Sequence, residues 1–404
     1  MSSPSNKTSH LIYLECTKCG NNYDHTELQQ LCSCGKVLFA RYDLEKAKET
    51  ITKDSFNNRE YNIWRLNEIM PVFKEEFRFS LGEGWTPLIR MDNLGKKLGL
   101  NNLMIKNEGE NPTGSFKSRG LCAAVSKAIE LGAKEFVIPT AGNAGAALAA
   151  YAAKTKTQAH VFMPKDTPPL IVNEINAFGA DYHLVDGLIT DAGKLAKEGA
   201  EKHGWFDVST LKEPYRAEGK KTMGLEIAEQ LNWFLPDVII YPTGGGTGII
   251  GMWKAFDEME RLGLIGSERP KMIAVQSTGC APIIKAFQEG KESADFWENA
   301  ETIAAGLRVP AAIADYLILQ TIRDSSGTAI EVDDLTIKIS MAQVAKEEGI
   351  MISPEAAATV AALDPLIVDG KIEQDEKIII FGTGSGLTTP EEWEIRALVE
   401  LPES

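Results

Sequence analysis

The sequence predicts an α/β protein: two doubly wound domains with mostly parallel sheets, preceded by a small Cys-rich ribbon. Three observations predict it. Short β-branched or apolar runs alternate with helical stretches along most of the chain, the rhythm of parallel sheets covered on both faces. Three of those runs lead into Gly-rich loops, the position at which open α/β sheets bind ligands. Four of the six cysteines fall between positions 16 and 34, apart from the repeating body.

The 404 residues carry 57 Asp and Glu against 42 Lys and Arg, a net charge of −15. That balance argues against a general nucleic-acid or anionic-membrane binder, which would present a basic surface. At 44% hydrophobic residues the chain can form large cores. The start, "MSSPSNKTSH", lacks the apolar core of a signal peptide, and no uncharged apolar run nears the ~20 residues of a membrane span. These features predict a cytoplasmic protein. Six cysteines in so long a chain are not a disulfide scaffold; Cys122 and Cys280 read as buried packing residues.

Along the chain, residues 11–42 form the ribbon, with two short β-like runs that each end in a cysteine-bearing turn. Cys16-x2-Cys19-x12-Cys32-x-Cys34 offers four thiolates to a tetrahedral structural zinc. The other readings are a ribbon folded without metal and a site in which His25 substitutes. A charged stretch, 43–77, follows. Strand-like runs then appear at 103–105, 136–139, 159–163 and 181–185, with helical stretches at 117–131, 143–154, 168–179 and 190–203. The rhythm resumes with runs at 237–241, 272–276 and 376–381, and helical stretches at 216–231, 247–262, 333–348 and 354–368. The division expected is a ribbon over 1–45, a large domain over 46–115 and 211–404, and a small domain over 116–210.

The first Gly-rich loop, "VIPTAGNAGAA", places Thr140, Gly142 and Asn143 where a helix starts. Backbone N–H groups there can hold a carboxylate or phosphate; a plain turn with an Asn cap is the alternative. The second, "VIIYPTGGGTGIIG", has three consecutive glycines, which suit backbone wrapped around an anion. No Lys-Ser/Thr follows, so it is not a Walker A loop. Gly246, Gly248 and Gly251 match G-x-G-x-x-G, but the next strand ends at Gln276 instead of an acid. A monophosphate cradle is therefore favoured over a dinucleotide site. The third, "IIIFGTGSGLTTP", offers the hydroxyls of Thr383 and Ser385.

Lys117 follows the turn signal "NPTGSF" and opens a helix. A cation is disfavoured at a helix amino end, and Arg119 is two residues away, so the amine is expected to lose its proton readily. A neutral lysine is a nucleophile that forms Schiff bases with carbonyl compounds. A phosphate cradle and such a lysine on one frame point to a phosphorylated aldehyde, pyridoxal 5′-phosphate (PLP).

"NPTGSFKSRG", "TAGNAG", "TGGGTG" and "TGSGL", in this order and spacing, resemble PLP-dependent enzymes of the tryptophan synthase β type, fold type II, over about residues 80–390. The resemblance implies that Lys117, with Phe116 beside it, is the Schiff-base lysine, and that Asn143 partners the cofactor's 3′-hydroxyl. It implies a phosphate cradle of Gly244, Gly245, Gly246, Thr247 and Gly248, with Thr383 at the pyridine nitrogen, the cofactor in the cleft between the domains, and a homodimer. A hydroxyl at that nitrogen steers chemistry toward elimination and replacement and away from transamination. Within the family, "LECTKCG…CSCGKVLFARYDLE", "SLGEGWTPL" and "STLKEPYRAEGKKTMGLEIA" resemble the threonine synthase branch. That branch eliminates phosphate from O-phospho-L-homoserine and adds water to give L-threonine. By this likeness Arg216 clamps the substrate phosphate, Ser209 and Lys220 assist, and Thr140 and Gly142 touch the substrate. Three departures stand out: Ser118 replaces the Asp of the lysine motif, Lys212-Glu213 precede Pro214 where the branch has Asn, and the cradle reads "GGGTG", closer to dehydratases than to the Asn-containing loop of some threonine synthases. A threonine or serine dehydratase and another phospho-amino-acid replacement synthase are the alternatives. From a different class, a cofactor-binding module without turnover is disfavoured by the intact Lys117, Asn143 and glycine loop.

Overall fold

The structure, a computed structural model, describes residues 9–140, 142–187 and 189–393. The first eight residues, on which the leader reading rests, lie outside that range, as does Ala141 of "TAGNAG". The chain forms two compact units. The first comprises Met1–Trp85, Asn111–Leu235 and Gly245–Glu268; the second comprises Thr86–Glu110, Pro236–Gly244 and Arg269–Ser404.

The first unit opens with the ribbon, a three-stranded antiparallel sheet in the order β2-β1-β3, formed by β1 (Leu11–Cys16), β2 (Asn22–Tyr23) and β3 (Leu38–Tyr42). Helix α1 (Leu44–Lys48) follows, capped by Asp43, whose side chain accepts the Lys46 N–H at 3.0 Å. A four-stranded parallel sheet in the order β8-β7-β6-β9 forms the centre of this unit. Its strands are β6 (Glu135–Pro139), β7 (Gln158–Pro164), β8 (Asp181–Val185) and β9 (Phe206–Asp207). Helices α3 (Lys117–Glu130), α4 (Asn143–Thr155), α5 (Pro169–Ala177) and α6 (Ile189–His203) connect and cover them. The apolar cores of β6 and β7 are buried on both faces, as parallel strands under helices should be. Helices α7 (Tyr215–Gln230) and α8 (Thr247–Arg261) complete the unit.

Helix α7 departs from an amphipathic pattern, because every residue from Tyr215 to Ala228 is buried, five of them formally charged. Charge burial is tolerated only with partners, and those of Glu218 and Lys221 lie on α7 itself, on β3 and on α8. Glu218 accepts the Tyr42 hydroxyl at 2.8 Å and pairs with Lys221 at 2.6 Å and Lys254 at 2.9 Å. Lys221 also meets Glu258 at 2.8 Å. The ribbon's last strand and helix α8 are thus tied to α7 through a buried cluster of two lysines, two glutamates and a tyrosine.

The second unit holds a six-stranded sheet in the order β12-β11-β10-β13-β5-β4. All pairings are parallel except that of β4 (Leu88–Arg90) with β5 (Asn102–Asn107). The other strands are β10 (Val238–Pro242), β11 (Lys271–Ser277), β12 (Thr328–Val332) and β13 (Lys377–Gly382). Ile240 stands beside Ile273 on one side and Ile380 on the other, and these join a core with Ile105, Val275 and Ile378. The helices are α2 (Asp92–Leu98), α9 (Pro282–Gln288), α10 (Asp315–Asp324), α11 (Asp334–Glu348), α12 (Pro354–Ala361) and α13 (Leu363–Val368). No helix among the described residues is long and apolar enough to cross a membrane.

Candidate active site

Lys117 is the first residue of α3, with Phe116 at the capping position and no side-chain cap. The preceding turn holds Thr113 in the left-handed region at φ 58° and ψ 24°, a strained conformation for a β-branched residue. Ser118 closes this turn. Its hydroxyl is set against the carbonyl oxygen of Pro112 and lies 3.2 Å from that of Ser115 and 3.3 Å from the Thr113 hydroxyl. A carboxylate here would meet two carbonyl acceptors with no proton to offer, which accounts for Ser in place of Asp. The half-buried Phe116 ring lies 4.5 Å from Lys117 Nζ and 3.9 Å from Lys220 Nζ. Lys220 also donates to the Phe116 carbonyl oxygen.

Arg119 does not act as the free neighbouring cation that its spacing implies. Its guanidinium is wholly buried and bidentate to Glu226, at 2.5 and 2.7 Å, with Thr222 Oγ1 at 2.9 Å. That pairing screens its charge from Lys117 and fastens α3 to α7.

The helices approach closely because glycines face backbone. A Cβ on Gly219 of α7 would lie 2.0 Å from the Arg119 carbonyl oxygen. A Cβ on Gly120 of α3 would lie 3.0 Å from Lys220 Cε and 3.1 Å from the Arg216 carbonyl oxygen. On Gly251 of α8 it would lie 3.1 Å from the Ala217 carbonyl oxygen. The contacts at Gly120, Gly219 and Gly251 all fall near the amino ends of their helices, so α3, α7 and α8 begin beside one another.

At the start of α7, Arg216 is 0% exposed. Its Nη1 donates to the Val208 carbonyl at 2.8 Å, while Nε and Nη2 have no hydrogen-bond partner among the described residues. Burial pulls its pKa down to about 10, against the opposing pull of Glu213 and Asp207. It remains a cation at neutral pH. Glu213, a residue the sequence marked only as a departure, is buried and accepts the N–H of Tyr215 at 2.8 Å and of Arg216 at 2.7 Å. Burial pushes its carboxyl up to about 7. Ser209 is engaged locally: its N–H reaches Asp207 Oδ1 at 2.8 Å and its hydroxyl bonds the same oxygen, while Lys212 meets Oδ2 at 3.2 Å.

The chain crosses from the second unit to the first between Gly244 and Gly245. A Cβ on Gly244 would lie 2.2 Å from the Gly306 carbonyl oxygen, and one on Gly245 would lie 2.9 Å from Thr210 Cγ2. Gly246 caps α8 at φ 78°, where only glycine sits without strain. Thr247 and Gly248 are the first two helical residues, so their N–H groups have no intrahelical acceptor. The loop thus needs its glycines and presents donors at a positive helix end, which fits a phosphate. In the second unit, Gln276 is wholly buried. Its Nε2 donates to the Thr243 carbonyl at 3.0 Å and its Oε1 accepts the Ile283 N–H at 2.9 Å. It braces the strand ends and takes no part in recognising a ribose.

Asn143 is the first residue of α4 and is half-buried. Thr140 is buried and its Oγ1 accepts the Gly142 N–H at 3.2 Å. Thr383, in the second unit, is 5% exposed just beyond β13. Its loop is held by the Ser353 N–H, which donates to the Gly384 carbonyl at 2.9 Å.

In the ribbon, the sulfurs of Cys16, Cys19, Cys32 and Cys34 all lie within 4.8 Å of one another. Cys16 and Cys34 are 3.5 Å apart, as are Cys19 and Cys32. Four sulfurs around zinc at ~2.3 Å would stand about 3.8 Å apart. N–H groups of Lys18 and Cys19 point at Cys16 Sγ, each at 3.5 Å, and that of Cys34 points at Cys32 Sγ at 3.4 Å. The Tyr23 hydroxyl donates to Cys32 Sγ at 3.2 Å and holds that thiol down at about 6. His25 instead stacks on Phe73, with ring centroids 5.3 Å apart.

Residues 79–384 match the family model described as "Pyridoxal-phosphate dependent enzyme". Threonine synthase of Methanocaldococcus jannaschii is 38% identical over 377 residues, 93% of each chain. Threonine synthase of Methanosarcina acetivorans is 35% identical over 94% of this chain and 93% of its own. Among solved structures, maize serine racemase superposes with a TM-score of 0.67 at 24% identity, covering 78% of this chain and 92% of its own, a likeness of fold.

Proposed function

Since the chain belongs to the pyridoxal-phosphate-dependent enzyme family, we propose that it is a threonine synthase. It would release phosphate from O-phospho-L-homoserine and add water to give L-threonine. The relatives' names and coverage support this reading. The single observation that carries the phosphorylated substrate is Arg216, wholly buried with Nε and Nη2 unpaired. An unsatisfied buried guanidinium is costly, and a bidentate phosphate supplies what it lacks.

The residues fit the cofactor. Backbone N–H groups from Gly244 to Gly248 would hold its phosphate, Lys117 Nζ its aldehyde carbon, Asn143 its ring hydroxyl and Thr383 its ring nitrogen. When bound, the cofactor supplies an electron sink for carbanions of an amino acid joined to it. Lys117 Nζ would be the base that takes the α-proton. Arg216 orients the phosphate and stabilises it as it leaves. Thr383 would meet the ring nitrogen with a hydroxyl, which lacks a carboxylate's charge and so would disfavour transamination. Thr140 and Gly142, at the start of α4, would receive the substrate carboxylate. The four ribbon cysteines would hold a structural zinc, which their spacing and N–H···S bonds support.

The test is purified protein with O-phospho-L-homoserine, assayed for phosphate and threonine together. Equal release of both supports the reading. Phosphate without threonine makes the protein a simple lyase; 2-oxobutyrate from threonine, with neither product above, makes it a dehydratase. Arg216→Ala should lower kcat/KM on the phosphorylated substrate by roughly 10²-fold or more, about 3 kcal/mol for two lost charge-assisted bonds. The cofactor's visible absorbance should persist.

A further inference from the structure

Arg216 is not a lone cation awaiting an anion. Glu213 stands at the same helix start, buried, with both oxygens engaged by the N–H groups of Tyr215 and Arg216. Asp207 on β9 faces Arg216 as well, and Lys212 pairs with Asp207 at 3.2 Å. The immediate surroundings are therefore two cations, Arg216 and Lys212, against two carboxylates. The other charges nearby are committed elsewhere. Lys220, one turn on, directs its ammonium to the Phe116 carbonyl, and Glu218 is taken up by Lys221 and Lys254. The buried Tyr215 hydroxyl has no hydrogen-bond partner among the described residues. A phosphate dianion delivered to Nε and Nη2 would leave this buried pocket with two uncompensated negative charges, which a low-dielectric interior opposes.

We propose that Glu213 makes anion binding at Arg216 proton-linked: the pocket gains one proton from solvent on this carboxyl as it takes up the phosphate group. The inference rests on the reading of Arg216 as the anion clamp. The balance is simple, since one O–H bond forms and no other bond changes. The protonated carboxyl keeps lone pairs for both backbone N–H groups and gains a donor, where the carboxylate could only accept. Burial already holds the group near 7 without an anion, so an arriving dianion that raises it by about two units leaves it protonated at pH 8. Asn, the residue the branch carries before the proline, has no proton to gain. Glu213 thus sets the pH range over which this chain binds its phosphorylated substrate.

Sulfate is the probe, because it stays dianionic from pH 6 to 9 while phosphate itself titrates. Binding to the cofactor-loaded protein is followed by calorimetry at pH 8 in two buffers of different ionisation enthalpy, and across pH. The expected result is close to one proton taken up per sulfate, with Kd rising toward tenfold per pH unit above about 7. Glu213→Gln should bind with a Kd independent of pH and no proton uptake, its circular dichroism and cofactor absorbance unchanged. If that variant does not fold, the wild-type proton count decides alone. Sulfate binding that Arg216→Ala abolishes, yet that carries no proton in the wild type, overturns the linkage and leaves the clamp standing. Sulfate binding that is absent, or indifferent to Arg216→Ala, removes the clamp and the linkage with it.

Discussion

Gly219→Ala tests whether the close approach of α3 and α7 underlies both stability and activity. The new Cβ would lie 2.0 Å from the Arg119 carbonyl oxygen, 2.6 Å from its carbonyl carbon and 2.8 Å from Gly120 Cα. All three atoms are backbone, so no rotamer change relieves the clash. Ordinary contact near ~3.5 Å requires the helices to part by about 1.5 Å. Overpacking of this kind costs roughly 1–3 kcal/mol, against about 1 kcal/mol gained from alanine's helix propensity; a rigid clash belongs at the upper end, for a net loss of about 2 kcal/mol. Parting the helices also stretches the Arg119–Glu226 pair and moves Lys117 away from Arg216. A displacement near 1 Å at reacting groups is worth about 10² in rate. Gly193→Ala in α6 is the control, because no atom lies within 4 Å of its Cβ, and it should stabilise by about 0.5–1 kcal/mol. Thermal unfolding of the cofactor-loaded protein should therefore shift down for Gly219→Ala and up for Gly193→Ala, with kcat reduced only in the first. Equal stability of the two variants with undiminished turnover would refute the close-packing argument.

Arg119→Met should be among the most damaging single changes, because it leaves the buried Glu226 without its bidentate partner; a loss of about 3–5 kcal/mol is expected in denaturant titration. Glu226→Gln on the Arg119→Met background should recover part of that loss, since the stranded charge is then gone. Cys34→Ser should lower bound zinc from about one to near zero per chain by metal analysis. A chelator should then depress the unfolding temperature of the wild type but not that of the variant.

Much of the body was legible because it follows periodicity. The helix expected over 117–131 spans Lys117–Glu130, and that expected over 247–262 spans Thr247–Arg261. Runs such as "DVIIY" and "EKIIIF" became central parallel strands, as continuous apolar segments bounded by glycine loops should. The misses have physical reasons. β12 reads "TAIEV", with a burial pattern half open to solvent, and β9 is two residues long; neither carries enough apolar signal to register. β4 pairs antiparallel with β5, which a strand–helix rhythm does not announce. At the site, positions could be read but pairings could not. Arg119 meets Glu226 across 107 residues of chain, and Glu213 reaches Arg216 only through the geometry of a helix start. Spacing alone made Arg119 look like a cation acting on Lys117, when its partner lies on another helix.

The arrangement of paired and unpaired donors carries the functional argument further than any one residue. Behind the helix starts, charge is neutralised within the protein: Arg119 by Glu226, and Lys221 and Lys254 by Glu218 and Glu258. At the starts themselves charge is also matched, Arg216 and Lys212 by Glu213 and Asp207, but hydrogen-bond donors are left over. Arg216 Nε and Nη2 lack partners, and the first N–H groups of α8 face out of the helix at its positive end. Three helices whose amino ends adjoin through Gly120, Gly219 and Gly251 thus direct a surplus of donors to one region of the first unit, with an amine at Lys117. A surplus of that kind is unfavourable in an empty protein and is relieved by anions. Under the proposed function, the internal pairing on α7 would fix Arg216 in position, so that a phosphate group would lose little entropy in binding it.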